Sequence, residues 1–137
     1  MSNSSSEIIL LMRGNGTITV INEGSSYNSP RKIWISRMIS AWDGSVDEFE
    51  KMIKEHLNDE GSYNHIETSY LDISSNEDMQ EVNKIFRQAG IMTSAQVGDI
   101  ILVTEFSAKN AFDATIKNTA YGIARYRDRS ITLIAIE

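Results

Sequence analysis

The pattern of apolar and polar residues near the start of the chain is typical of a β-hairpin. An apolar run reaches Arg13-Gly14-Asn15-Gly16, and Thr17–Ile21 then alternates with a period of two. Asn and Gly tolerate the positive φ angles that tight hairpin turns require. We therefore predict a hairpin over residues 7–22, preceded by a disordered polar tail over residues 1–6 and followed by a loop over residues 22–30.

The segment over residues 33–42 fits two kinds of secondary structure. It carries large apolar groups on both sides and several β-branched residues, as a central strand does. Four of its apolar residues also share one helical face: Ile35, Met38, Ile39 and Trp42. Ser29-Pro30 would suit the N-cap and first turn of such a helix. We predict a strand, with a helix as the alternative.

Two segments in the middle of the chain have clear helix signals. Ser45 and Glu48 have the spacing of a capping box, which predicts a helix reaching about Leu57. Its apolar stripe consists of Val46, Phe49, Met52, Ile53 and Leu57. A second helix is predicted to open at Ser74 or Ser75 and to stop at Gly90, with Met79, Val82, Phe86 and Ala89 on its buried side.

A third helix is predicted to begin after Ser107, which could act as its N-cap. Five residues at helical spacing support it: Ala108, Ala111, Phe112, Thr115 and Ile116. The remaining apolar segments favour strands over residues 65–73, 100–103, 122–127 and 130–136, the last two joined by a turn at Asp128-Arg129.

These elements together predict one α+β domain over residues 7–137. It would consist of a mixed, mostly antiparallel sheet with about three helices packed on it. Its single core is expected to contain Phe49, Ile53, Phe86, Ile101, Val103, Phe112, Leu133 and Ile136.

Length and composition agree with a globular domain. The chain has 137 residues, of which 41% are hydrophobic and 23% charged, and it is long enough to bury a core without a disulfide or a metal. It contains no cysteine, which excludes thiolate metal sites and cysteine nucleophiles. No apolar run has the length of a membrane span, and the N-terminal residues lack the features of an export signal. We therefore expect a soluble, cytoplasmic protein.

The net charge of −6 is concentrated in the middle of the chain. Residues 43–81 hold twelve acidic residues against two lysines, whereas both flanking regions are slightly basic. Such a run is typical of solvated helix faces, or of a surface that attracts a basic partner. Extended DNA or RNA binding is disfavoured, because it requires clustered Lys and Arg.

Candidates for acid–base chemistry are few. Neither His56 nor His65 belongs to a metal-ligand or hydrolase motif, so no catalytic residue, metal or cofactor is predicted. If the protein were an enzyme, His65 would be the first candidate, because Glu67 would lie on the same side of its strand. Asp72 and Asp99 are the next candidates, because each lies at the end of an apolar strand.

The C-terminal hairpin gathers several cations. If Asp128-Arg129 is a two-residue turn, Arg125 lies opposite Thr132 and Arg127 opposite Ser130, on a polar face that also carries Ile123. Two guanidiniums beside two hydroxyls can hold a phosphate or a carboxylate, and Tyr121 could stack on a base. We predict that Arg125, Arg127, Thr132 and Tyr121 bind an anion; the alternative is an exposed hairpin kept in solution by its charges.

The sequence therefore predicts a non-catalytic binding or regulatory protein. Its partner would be another protein or an anionic small molecule such as a nucleotide, as in bacterial or phage accessory proteins. The alternative is a small hydrolase or transferase acting on a phosphorylated or nucleotide substrate. A third hypothesis is a subunit of a larger assembly, and we expect a homo-oligomer, because terminal hairpins can pair between chains.

Overall fold

A computed structural model of the chain describes residues 30–40 and 44–137. The predicted tail, hairpin and most of the following loop lie outside these residues. Within them the chain forms helix α1 (Pro30–Met38), helix α2 (Asp47–Glu55), strand β1 (Asn64–Asp72), helix α3 (Asn76–Gln88) and strands β2 (Ile100–Lys109), β3 (Thr115–Ala124) and β4 (Ile131–Ile136). A 3₁₀ turn at Glu60–Ser62 leads into β1.

The four described strands form one antiparallel sheet in the order β1-β2-β3-β4. With three described helices packed on it, the domain has the predicted α+β class. β2 and β3 are the inner strands, and their pairing runs from Ile100 opposite Ala124 to Lys109 opposite Thr115. β1 and β4 are the two edges.

Helices cover both faces of the sheet, which divides the core into two layers. On the two-helix face, Ile35 of α1 and Phe49 and Ile53 of α2 pack on residues such as Leu102 and Phe106. On the one-helix face, α3 covers a second cluster: Leu71, Ile73, Val82, Ile85, Phe86, Ala95, Ile101, Val103, Tyr121 and Ile123. The predicted single core is therefore two cores, because β2 is apolar on both sides.

The strand predicted over residues 33–42 is wrong for the described residues 33–40, and the helical alternative is confirmed as far as Met38. Pro30 occupies the first position of α1, where its fixed φ and missing N–H are tolerated. Ile35 is fully buried while Ile33 is more than one-third exposed. The segment therefore buries one stripe against the sheet and does not need the two buried faces of a central strand.

Helix α2 starts later than predicted. Val46 is its N-cap residue and its side chain forms no cap bond, so Ser45 does not occupy the N-cap position that its capping box with Glu48 requires. With Val46 at the N-cap, Glu48 stands two residues into the helix instead of three, out of register for the box. The apolar stripe is confirmed for Val46, Phe49 and Ile53, which are buried.

Helix α3 confirms the prediction at both ends. The Ser75 hydroxyl accepts a hydrogen bond from the Asp78 N–H at 3.1 Å, which satisfies one free donor of the first turn. Gly90 follows the helix with φ of 76°, a conformation that glycine adopts at helix ends without strain.

The third helix predicted after Ser107 is wrong. β2 continues to Lys109, a turn follows, and β3 begins at Thr115. The Asn110 side-chain oxygen organises the turn by accepting hydrogen bonds from the N–H groups of Phe112 at 2.9 Å and Ala114 at 3.1 Å. Phe112 is 89% exposed at this turn, so its place in the predicted core is also wrong. The apolar residues predicted as a helix have helical spacing, but the pairing of β2 with β3 makes them parts of two strands and a turn.

The predicted register of the C-terminal hairpin is wrong by two residues. Ala124 pairs with Ile131 and Ile123 with Thr132, so a six-residue connection replaces the two-residue turn. Arg125 therefore does not lie opposite Thr132, and Arg127 lies outside the strands. Because Ile123 is buried under α3, the face predicted to be cationic belongs to a core.

Candidate functional site

The structure places the four predicted anion-binding residues in different environments. Tyr121 is 2% exposed in the core under α3. Burial raises the pKa of its phenol, and the carboxylates of Glu137 and Glu105 raise it further. Thr132 and Arg127 are exposed, Thr132 on the edge strand and Arg127 in the β3–β4 connection. None of the four lines either groove described below.

Arg125 is engaged within the protein. Its guanidinium forms an ion pair with Asp99 at 3.1 Å and donates a hydrogen bond to the Ser94 carbonyl at 3.0 Å. The Asp99 carboxylate also accepts from the Gln96 N–H at 2.9 Å. Arg125 thereby joins the end of β3 to the turn before β2, and much of its hydrogen-bonding capacity is used.

Asp72 is held in the same way. Arg31 of α1 forms a two-pronged ion pair with the Asp72 carboxylate and donates to the Gly98 carbonyl at 3.1 Å. Both strand-end carboxylates that were candidates for catalysis therefore neutralise a guanidinium. They anchor α1 and the β3–β4 connection to the sheet.

The geometry around His65 differs from the prediction. A bulge at Ile66 pairs His65 with Phe106 but Glu67 with Glu105, which puts the two side chains on opposite faces of the sheet. His65 Nε2 lies 2.7 Å from the Thr68 hydroxyl, which is 2.8 Å from that of Thr104. Asp72 is seven residues further along the strand, about 23 Å away. His65 therefore cannot share a proton with either acid.

Among residues 30–40 and 44–137, no group of three or more His, Asp or Glu side chains is arranged to hold a metal ion. Within the same residues, no helix combines the length and the apolar character that crossing a membrane requires.

One groove on the two-helix face brings separate arginines together. We call it the helix groove; it has a volume of about 380 Å³ and lies between α1, the start of α2 and the end of the β3–β4 connection. Its walls are formed by Trp34, Arg37, Met38, Val46, Asp47, Glu48, Arg129 and Ile131. Volumes of this size suit a small organic ligand.

The arginines of the helix groove come from distant parts of the chain. Arg37 stands in the last turn of α1 and is exposed, and it forms no ion pair with another described residue. The Arg129 guanidinium lies 3.9 Å from the centre of the Tyr126 ring and donates to the Tyr126 carbonyl. The backbone of Arg129 has a positive φ of 61°, which turns this residue out of the strand path.

The groove also contains negative charge and an aromatic wall. Asp47 and Glu48 extend from the first turn of α2, so the formal charges of the described lining residues sum to zero. Trp34 packs against Tyr126 with ring centroids 5.4 Å apart and planes tilted by 47°. Sequence reasoning missed this site because its residues span from Trp34 to Ile131 and no spacing links them.

A second groove, the edge groove, runs beside β4 and has a volume of about 420 Å³. Apolar residues dominate its β4 side, from Leu133 to Ile136, and Ile116 closes it from β3. The far wall is polar, with His56, Asn58, Asn110 and Asn118. This lining contains one formal charge, Lys109, and so differs in chemistry from the helix groove.

Comparison with protein-family models, with curated proteins and with solved structures found no match for this chain. No relative therefore assigns a role to the residues of either groove.

Proposed function

We propose that the protein is a non-catalytic binding domain that takes a mononucleotide in the helix groove. The convergence of Arg37 and Arg129 on one groove is the observation that carries the proposal. The ligand class was expected from the sequence, but the residues differ: Arg37, Arg129 and Trp34 take the place of Arg125, Arg127 and Tyr121.

The two guanidiniums suit the phosphate. Each is a planar donor that stays charged at all physiological pH values, and phosphate oxygens accept its hydrogen bonds in pairs. The first turn of α2 lies beside the groove, and its N-cap residue, Val46, has no polar side chain to cap the backbone N–H groups there. Arg125 is less suited to this role, because the Asp99 carboxylate neutralises its guanidinium, whereas Tyr126, which the Arg129 guanidinium contacts, is uncharged.

The other lining residues suit the nucleoside. The indole of Trp34 offers a surface on which a base can stack. Asp47 and Glu48 would repel a bare phosphate, but their oxygens can accept hydrogen bonds from ribose hydroxyls, as acidic residues do in dinucleotide sites. A balanced lining therefore favours a nucleotide over an inorganic anion.

The same residues favour binding over catalysis. The described residues of the lining combine guanidiniums, carboxylates and an indole, and none of them is a histidine, a serine or a lysine. This set can orient a nucleotide by charge and stacking, but it offers no nucleophile with an adjacent base.

Calorimetric titration of the full chain with ATP, ADP and AMP tests the proposal. Adenosine and pyrophosphate are titrated separately, because each represents one part of the nucleotide. At least one nucleotide should bind more tightly than adenosine or pyrophosphate alone. Replacing Arg37 or Arg129 by Ala should weaken that affinity about tenfold or more, because each change removes a charge-assisted contact. Trp34→Leu should reduce the preference for the nucleotide over pyrophosphate.

Arg127→Ala is the matched control, because Arg127 lies two residues from Arg129 on the same connection but does not line the groove. It should leave the affinity unchanged. No binding of any nucleotide, or equal losses in the Arg127 and Arg129 variants, would show that the groove is not a nucleotide site.

A further inference from the structure

The helix groove reaches the end of the sheet where β4 begins, because Ile131 forms part of its wall. At this end β1 and β3 finish, and β2 and β4 start. One residue of each strand is aligned across the sheet there: Asp72, Ile100, Ala124 and Ile131. The segment that enters β2 therefore lies at the same end of the sheet as the groove.

Residues 94–99, which precede β2, form a segment that we call the anchor loop. Ile73, the buried residue after β1, forms two backbone hydrogen bonds with this loop, at 2.8 and 3.0 Å. From the one-helix face, the Asn83 side chain of α3 donates to the Ala95 carbonyl at 3.0 Å and accepts from the Ala95 N–H at 2.6 Å. Hydrogen bonds from two sides thus fix the position of the anchor loop.

Each wall of the helix groove extends one arginine to this end of the sheet. Arg31, in the first turn of α1, forms the two-pronged ion pair with Asp72, and Arg125, which opens the β3–β4 connection, pairs with Asp99 at 3.1 Å. Each guanidinium also donates to a backbone carbonyl of the anchor loop, at 3.1 Å for Arg31 and 3.0 Å for Arg125. The Asp72 and Asp99 side chains are 17% and 6% exposed, so water and salt screen both pairs only weakly.

The two walls also contact each other. Trp34 of α1 packs on Tyr126 of the connection, and the Arg129 guanidinium lies 3.9 Å from the centre of the same Tyr126 ring. Arg37 stands six residues after Arg31 on α1, about 9 Å along the helix axis. The anchor loop, α1 and the connection therefore form a closed ring of contacts that carries both arginines of the groove.

We propose that Arg31 and Arg125 are positioning residues for the helix groove, and that they set the distance between the guanidiniums of Arg37 and Arg129 by holding both walls on the anchor loop. This role rests on the proposed nucleotide site. Neither positioning residue is among the described residues of the groove lining, so neither would touch the nucleotide. Two guanidiniums share one phosphate only when both lie within hydrogen-bond distance of its oxygens, and a wall displaced by about 1 Å loses that contact.

Charge reversal of the Arg31 pair tests the role of the α1 wall. Arg31→Glu places two carboxylates side by side and should release α1, which weakens the affinity for ATP, ADP or AMP about threefold to thirtyfold in calorimetric titration. Adding Asp72→Arg restores opposite charges and should recover most of the affinity. Arg31→Gln removes the charge without repulsion and should give a smaller loss. A thermal melt shows which variants are folded at the titration temperature.

Arg125→Lys tests the wall formed by the β3–β4 connection. Lysine keeps a positive charge beside Asp99, but its single ammonium group lacks the planar fork that reaches the carboxylate and the loop carbonyl together. The connection should lose part of its attachment, and the affinity for the nucleotide should fall about threefold or more. An unchanged affinity would overturn the proposed role of Arg125.

The fluorescence of Trp34 gives a readout that needs no nucleotide. The chain has two tryptophans, so Trp42→Phe leaves Trp34 as the only one. When Arg31→Glu is added to that variant, the contact of Trp34 with Tyr126 should open. Its emission should then shift to longer wavelength, and acrylamide should quench it more strongly. Adding Asp72→Arg should reverse both changes.

Lys117→Glu is the matched control, because it changes the net charge by the same amount as Arg31→Glu. It breaks the ion pair between Lys117 of β3 and Glu105 of β2, at 3.8 Å, and neither residue is among the described residues of the groove lining. The nucleotide affinity and the Trp34 emission should both stay unchanged.

An affinity that is unchanged in Arg31→Glu and Arg31→Gln, while the substitutions within the groove weaken it, would overturn the proposal and leave the nucleotide site intact. Equal losses in Arg31→Glu and Lys117→Glu would overturn it too, because net charge would then explain both. If no nucleotide binds the unsubstituted chain, the proposed function fails, and the Trp34 emission decides the positioning role. An unchanged emission overturns that role, and a shift that Asp72→Arg reverses supports it.

Discussion

The ring of Phe49 in α2 lies directly over Gly122 in β3. A Cβ atom on Gly122 would lie 2.4 Å from Cε1 of Phe49. Two carbon atoms that are not bonded to each other cannot approach so closely. The glycine is needed because an inner strand without a side chain at this position lets α2 sit close to the sheet. Phe49 fills the space that a side chain on residue 122 would otherwise occupy.

Gly122→Ala should therefore destabilise the protein by about 1 to 3 kcal/mol, since the new methyl group forces Phe49 and α2 outward. Urea denaturation measures the change. Phe49→Leu removes the ring, so adding Gly122→Ala to that variant should cost clearly less than adding it to the natural chain. An equal cost in both backgrounds would mean that strand propensity, and not this contact, selects glycine.

Tyr121→Phe should stabilise the protein. The Tyr121 hydroxyl is buried and has no hydrogen-bond partner among the described residues. Burying such a group costs about 1 to 3 kcal/mol, and the phenyl ring keeps the packing. The midpoint of urea unfolding should rise by the equivalent of about 1 kcal/mol. A lower midpoint would reveal a partner for this hydroxyl.

Arg125→Ala and Arg127→Ala should have very different effects on stability. Removing Arg125 leaves the Asp99 carboxylate, whose side chain is 6% exposed, without its counter-charge, which should cost about 3 kcal/mol. Arg127 is exposed, and its replacement should change stability by less than about 0.5 kcal/mol. Thermal unfolding of the two variants compares them directly. Similar melting temperatures would show that the Asp99 pair contributes little.

Phe112→Ala and Phe86→Ala contrast an exposed ring with a buried one. Phe86 of α3 is 1% exposed, and its truncation should cost about 3 to 5 kcal/mol. Phe112→Ala should be nearly neutral, because the ring at the β2–β3 turn packs on little. Chemical denaturation of both variants tests this, and a large loss for Phe112→Ala would place that ring in a buried contact.

The elements with local signals can be predicted from the amino-acid pattern alone. Helix α3 is predicted by three local signals: the N-cap residue Ser75, the apolar stripe through Val82 and Phe86, and Gly90 after the last turn. Such signals are enough because a helix forms its backbone hydrogen bonds within itself and needs only one apolar stripe. β1 and the start of β2 follow for a similar reason, since their apolar runs are bounded by turn residues. The α+β class needs no more than these elements.

The remaining features depend on tertiary packing, because in each case the interacting partner is distant in sequence. Residues 108–116 have helical spacing, yet the ladder that pairs Ala108 with Ile116 and joins β2 to β1 makes them a hairpin. Arg125 was expected to be free for a ligand, but Asp99, 26 residues away, binds it. Arg37 and Arg129 meet only because α1 and the β3–β4 connection pack on the same face of the sheet. Local patterns encode backbone hydrogen bonding and burial, whereas ion pairs and grooves depend on how the finished elements pack.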